Sequence, residues 1–398
     1  MTLTLRGRRY DTGEPVCVRT DKDRIVSVDP CTPDGPVESW PWLAPGLVDL
    51  QINGHGGIWF SSSDLTPEKV VKTVESHFKS GITRMLPTLV TAGHEELRNG
   101  FDAVRRACEQ SDWVHRMVAG CHLEGPYISG ADGPRGAHPL RHVRPCDWDE
   151  FLQLQAASGG RIRLVTLAAE AQGAPEFIRR AVDSGVVVAI GHTAADSGEI
   201  QAAVDAGARL STHLGNGAHG QIRRHPNYIW DQLGDSRLMA SIITDGHHLP
   251  PAVIRSMIRS KTPAGIIITC DAAGLAGCPP GEYAAAGGRV EILEDGRIVI
   301  AGQHQLLAGS GAQTDACVAH AVSVAGVSLA QAFDMAGKNP CRLLGLEVTR
   351  LRRGSRADLV QFEFAGPGDS IHWKTTVLGG VIRYGEASEV TLPEVSGS

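Results

Sequence analysis

No stretch of this 398-residue sequence approaches the roughly eighteen consecutive apolar residues of a membrane-spanning helix, so no membrane partner is expected. Behind Met1, the run Thr2-Leu-Thr-Leu-Arg-Gly-Arg-Arg9 holds no long apolar segment, which argues against a secretory signal. The nine cysteines include no Cys-x-x-Cys pair, and their number is odd. In a large chain without an export signal they read as reduced thiols of a cytoplasmic protein rather than as a disulfide framework. Charge of one sign is not in excess. The formal net charge is −6, and Lys and Arg are dispersed apart from short runs such as Arg350-Leu-Arg-Arg353, which reads as a solvated face. Nucleic acid and anionic membrane are therefore not expected as partners. Low-complexity tracts are missing too, except for Glu394-Val-Ser-Gly-Ser398, which reads as a frayed tail.

What is present is a large apolar content, 42%, with 21% charged residues, the balance of a globular protein with a sizeable core. Residues 1 to 40 read as short strands, Thr2–Leu5, Val16–Arg19 and Arg24–Val28, separated by the turn signals Asp11-Thr-Gly13 and Pro33-Asp-Gly35. The other end repeats the pattern with Asp358–Phe364, Lys374–Leu378 and Val381–Tyr384. Between these ends, eight apolar runs alternate with helical patterns: Leu47–Ile52, Thr83–Pro87, Met117–His122, Ile162–Leu167, Val186–Gly191, Arg209–His213, Met239–Thr244 and Gly265–Asp271. Thr66-Pro67 opens a helix carrying Val70, Val71, Val74 and Phe78, with Gly81 beyond its end, and Glu199–Gly207 is another. Eight alternations point to a parallel (β/α)₈ barrel, a fold that takes about 250 residues as one unit. No Gly-x-Gly-x-x-Gly follows the first strand, which weakens a dinucleotide-binding reading. The expected organisation is a barrel over 45–354 and a small β-sandwich domain from 1–44 and 355–398.

Active sites of such barrels gather at the C-terminal ends of the strands. There the sequence places Gln51-Ile-Asn53-Gly-His55, Glu124-Gly-Pro, His192-Thr, His213-Leu, Asp245-Gly-His247-His248 and Asp271-Ala. Singly, a strand-end His is usually a hydrogen-bonded structural residue and an Asp a helix cap. Together, Glu124, His192 and His213 make a three-ligand set for one divalent metal, with a position left open for catalysis. Asp271 is then the base that takes a proton from the attacking water. Asp49 and His122, inside their runs, read as structural or supporting groups. His94, His142 and His320 read as ordinary surface or packing residues.

The run Pro45-Gly-Leu-Val-Asp-Leu-Gln-Ile-Asn-Gly54, with His122-Leu-Glu-Gly-Pro126, Gly191-His-Thr, Thr212-His-Leu, Asp245-Gly-His-His and Asp271-Ala, resembles the N-acetylglucosamine-6-phosphate deacetylases of the amidohydrolase superfamily. The resemblance runs in order over nearly the whole chain. It implies hydrolysis of the acetamide of an N-acetylated amino sugar 6-phosphate, and a homodimer. Carried over by position, it makes Glu124, His192 and His213 the ligands of one ion, zinc or alternatively iron, and Asp271 the general base and acid. His138 would contact the substrate near its amide, and His248, Asn216 and Gly217 would lie along the sugar. Arg224 would reach the phosphate, in that family often across a dimer interface.

Two departures from the family pattern stand out. Gln51 and Asn53 replace the His-x-His pair that holds a second metal in many amidohydrolases, and amides are poor ligands for transition metals. They read as hydrogen-bonding groups, and His55 as a substrate or supporting group. After His213 the family carries an aromatic residue and Asn-Ala-Met, whereas this chain has Gly215-Asn-Gly-Ala-His219. That loop keeps open an alternative, an amidohydrolase acting on an unphosphorylated N-acyl or cyclic amide, against which Arg224 stands. A non-catalytic sugar-phosphate sensor would have lost a ligand or the base, and this chain retains both.

Overall fold

The computed structural model describes residues 2–33, 35–285 and 288–386. The tail at 394–398 and the centre of the Pro33–Gly35 turn lie outside them.

Eight strands form one parallel sheet in sequence order: Leu47–Ile52, Ile82–Val90, Cys121–Glu124, Ile162–Leu167, Val187–Ile190, Leu210–Ser211, Met239–Ile243 and Ile266–Thr269. The sheet curls until its first and last strands meet, with Ile52 bridging to Ala272. Asp49 fastens that seam. Its carboxylate accepts hydrogen bonds from Cys270 N at 2.9 Å, Thr269 Oγ1 at 2.5 Å and Thr314 Oγ1 at 2.6 Å. Leu50, Leu86, Leu164, Leu210 and Ile267 come from five strands around the ring yet form one buried cluster with Leu344. Side chains from opposite walls can meet only inside the barrel, so these fill its interior. Burial of each contributes about 1.5–3 kcal/mol.

The crossover helices start and stop as their residues dictate. Thr66 accepts from Lys69 N ahead of Pro67–Ser76, a short turn continues to Ser80, and Gly81 ends it at φ 70°. Asp196 and Glu199 form a reciprocal capping box at Ser197–Ala206. The third run begins later than the sequence suggests, because Met117 closes the helix Asp112–Met117 and the strand starts at Cys121.

The two chain ends share a seven-stranded sheet, mostly antiparallel, in which Leu359–Glu363 pairs with Trp42–Pro45. One face packs Leu5, Val18, Leu43, Leu359 and Val377 together, and the other sends Val360, Phe362 and Leu378 into the barrel's helical shell. A four-stranded antiparallel sheet over Gly281–Leu307, inserted after the eighth barrel strand, is an element the sequence reading lacks. Among the described residues, no helix is long and apolar enough to cross a membrane.

Candidate metal centre and active-site cavity

Glu124 ends the third strand, while His192 and His213 lie just past the fifth and sixth. Their ligand atoms lie within 4.8 Å of one another, and all three side chains are buried. His192 Nε2 is 3.2 Å and His213 Nε2 2.9 Å from the same Glu124 Oε1, and the two nitrogens are 3.1 Å apart. His192 Nδ1 donates to the Pro134 carbonyl at 2.8 Å, which fixes the tautomer whose Nε2 lone pair faces inward. Burial alone pushes the Glu124 carboxyl up, but the close approach of His192 and His213 outweighs it and holds the group well below the usual carboxylate range. Two imidazole nitrogens and an ionised carboxylate oxygen, converging in a buried site, fit a divalent ion as a three-ligand set.

Backbone strain marks the same residues. His192, His213 and Asp271 have φ of 50°, 29° and 53°. Left-handed backbone costs a non-glycine residue about 1–2 kcal/mol. Strain of this kind persists only where the surrounding fold over-determines it, and here it aims side chains into one space.

Asp271 Oδ1 accepts from Asn53 Nδ2 at 2.7 Å and from Gln51 Nε2 at 3.0 Å, and the same Gln51 nitrogen lies 2.8 Å from Glu124 Oε1. The two amides thus act as hydrogen-bond donors that hold both carboxylates. Burial and then the charge of Glu124 push the Asp271 carboxyl up to about 6, against the pull of His213, His248 and Asn53. A carboxyl tuned toward neutrality suits proton transfer in both directions. His122 sits beneath, with its Nε2 2.8 Å from Thr166 Oγ1, in a supporting position.

These groups open onto a cavity of about 860 Å³, whose walls also include His138, Asn216, Gly217 and His248. Burial lowers the His138 imidazole to about 3, so it is neutral, and its Nδ1 lies 2.7 Å from Thr91 Oγ1. His248 Nδ1 lies 2.7 Å from Asp245 Oδ2, which Ser310 also contacts at 2.9 Å. At Gly217 (φ 55°) an added Cβ would come within 2.7 Å of His192 Nδ1, so the absence of a side chain lets the loop's backbone press against the His192 ring.

Other sequence-predicted residues stand elsewhere. Arg224 is exposed and does not line the cavity of its own chain. His219 turns away, its Nδ1 3.0 Å from Tyr228 Oη, rather than facing the sugar space. His55 packs beside His77 and Gln313, while His142, read as ordinary surface, reaches the cavity wall. Sequence reasoning missed Thr91, and it missed Arg289 and Arg297, which the inserted sheet brings to the cavity. A signal was there: Asp295-Gly296 between apolar alternations marks a tight hairpin.

A model of the Amidohydrolase family matches residues 42–383. N-acetylglucosamine-6-phosphate deacetylase of Bos taurus is 35% identical, covering 85% of this chain and 82% of the relative. N-acetylgalactosamine-6-phosphate deacetylase of Escherichia coli O157:H7 is 32% identical, over 91% of this chain and 96% of the relative. Among solved structures, a mutant N-acetyl-D-glucosamine-6-phosphate deacetylase from Mycobacterium smegmatis in complex with N-acetyl-D-glucosamine-6-phosphate superposes with a TM-score of 0.83 at 30% identity, covering 96% of this chain and 99% of that one.

Proposed function

The chain belongs to the amidohydrolase family, and we propose that it hydrolyses the acetamide of N-acetylglucosamine 6-phosphate to acetate and glucosamine 6-phosphate. The observation that carries this reading is the convergence of Glu124, His192 and His213 beside Asp271 in one cavity, in a chain whose relatives share that activity over most of its length. A divalent ion held by the three would polarise the acetyl carbonyl and acidify water, and a Glu-His-His set suits zinc, our assignment, or iron.

We assign the remaining steps to the chain's own side chains. Asp271 takes a proton from the attacking water at Oδ2, the oxygen that Gln51 and Asn53 leave open, and returns it to the departing amine. His138, neutral and accepting from the Thr91 hydroxyl at Nδ1, donates from Nε2 to the developing oxyanion. His248, Asn216 and Gly217 line the sugar. Arg224 reaches the phosphate in a partner's cavity within a homodimer. Support for that lies in its exposed loop, flanked by the apolar Ile222 and Trp230, 42% and 55% exposed. All nine cysteines are unpaired, in keeping with a reducing cytoplasm. The shared seven-stranded sheet supports dividing the chain into a small β domain of 1–44 and 355–398 and a barrel of 45–354.

The Escherichia coli relative favours a second reading, the galactosamine epimer. Acetate release from both 6-phosphates and from unphosphorylated N-acetylglucosamine, by wild type and Arg224→Ala, tests these assignments. We expect the glucosamine 6-phosphate derivative to be turned over best. The substitution should raise KM strongly for phosphorylated sugars, change kcat less, and leave the unphosphorylated sugar untouched. Preference for the galacto epimer would move the substrate. Preference for the unphosphorylated sugar would promote a hydrolase of unphosphorylated amides.

A further inference from the structure

A second cavity, of about 330 Å³, lies at the barrel's N-terminal end, where the turn at Tyr10 and the loop Val348–Arg352 meet the start of the barrel strands. Asp271 and the ligand set stand at the other end of those strands. Arg84, on the second barrel strand, is buried, only 4% exposed. Its Nη1 donates to Glu347 O at 2.8 Å and its Nη2 to Thr349 Oγ1 at 3.1 Å, while its Nε has no partner. Among the described residues no carboxylate forms an ion pair with it. A buried charge without a counter-charge is costly.

The carboxylates of this cavity are committed elsewhere. Asp11 pairs with Arg9 at 2.8 Å, and Asp334 with Lys338 at 2.7 Å. Arg350 and Arg352, both exposed, line the same space and have no ion-pair partner among the described residues. Arg84, Arg350 and Arg352 thus line one cavity, and among the described residues no carboxylate pairs with any of them. The Arg350–Arg353 run, which reads as a solvated face in the sequence, supplies two of them.

We propose that this cavity is a second anion site that binds a phosphate group, either free or carried by a small sugar. Guanidinium groups match phosphate oxygens with paired, charge-assisted hydrogen bonds. The volume falls at the small end of the range of about 300–1,000 Å³ for small-molecule sites, which leaves room for more than the phosphate alone.

Titration calorimetry at fixed ionic strength tests this, with inorganic phosphate and glucose 6-phosphate as probes, on wild type and on Arg350→Ala/Arg352→Ala. Both substitutions are exposed, so the fold and kcat/KM for acetate release should be retained. Heat from the catalytic cavity should be the same in the two proteins. Beyond it, wild type should show a further binding event that the double variant weakens at least about 10-fold, the loss expected for one charge-assisted contact. Tighter binding of glucose 6-phosphate than of inorganic phosphate identifies a sugar phosphate as the ligand, and equal binding identifies the free ion. Identical isotherms for the two proteins with both probes would overturn the proposal. Because the readout is binding away from Asp271, its failure leaves the deacetylase reading standing, and failure of that reading leaves this one standing.

Discussion

At the mouth of the barrel, buried carboxylates and imidazoles crowd together on left-handed backbone at His192, His213 and Asp271. Deeper in the barrel, Leu50, Leu164, Leu210 and Ile267 pack in an apolar cluster with no such strain. The interior cluster gains stability from burial, and the mouth holds residues whose placement costs stability. Substitutions at the two levels should therefore fail in opposite ways.

The largest effect belongs at the mouth. Asp271→Asn keeps the size of the side chain and removes the proton acceptor, so kcat should fall at least about 100-fold, within the range for lost general-base catalysis. Thermal stability should hold or rise, since a buried, raised carboxyl is replaced by a neutral group. The sign of the pH dependence follows from the same group. Its carboxyl, pushed up to about 6, acts as a base only when ionised, so wild-type kcat/KM should rise with pH through that value. A bound cation favours the ionised form and would move this limb lower, never higher. The variant's residual rate should lack the limb. A variant that keeps most of the rate would place the base elsewhere, with His247 the next residue to test.

The interior should break the other way. Leu164→Ala removes a side chain only 1% exposed, and such truncations cost about 2–5 kcal/mol of stability. Denaturant midpoints should fall accordingly, while kcat of the remaining folded enzyme stays near wild type. A stable but inactive Leu164→Ala protein would mean that the two levels are not separable.

The difference between the levels also explains what the sequence made legible. Strand positions follow from apolar runs, and the eight barrel strands fall where such runs lie, apart from the late start at Cys121. The grouping of Glu124, His192 and His213 follows from the rule that strand ends meet at one face. Asp49 was legible as structural, although its partners, Thr269, Cys270 and Thr314, lie far off in the chain and only the closed barrel reveals that it fastens the seam. Orientation was less legible than position. The local pattern does not say that His219 turns to Tyr228 while His142 reaches the cavity, because the folded path of each loop sets where its side chains point. The inserted sheet carried a local hairpin signal at Asp295-Gly296, but its apolar runs are short, and a reading keyed to barrel strands passes over it.

The central proposal is one ion per chain at the mouth, with amides at Gln51 and Asn53 in place of a second ligand pair. Elemental analysis of the purified enzyme, of Glu124→Ala and of a chelated and reconstituted sample, with acetate release measured on the same preparations, tests this directly. One equivalent of divalent metal in wild type, its loss in Glu124→Ala, and activity that returns in proportion up to one equivalent are predicted. Two equivalents, both required for acetate release, or full activity in a metal-free preparation, would contradict it.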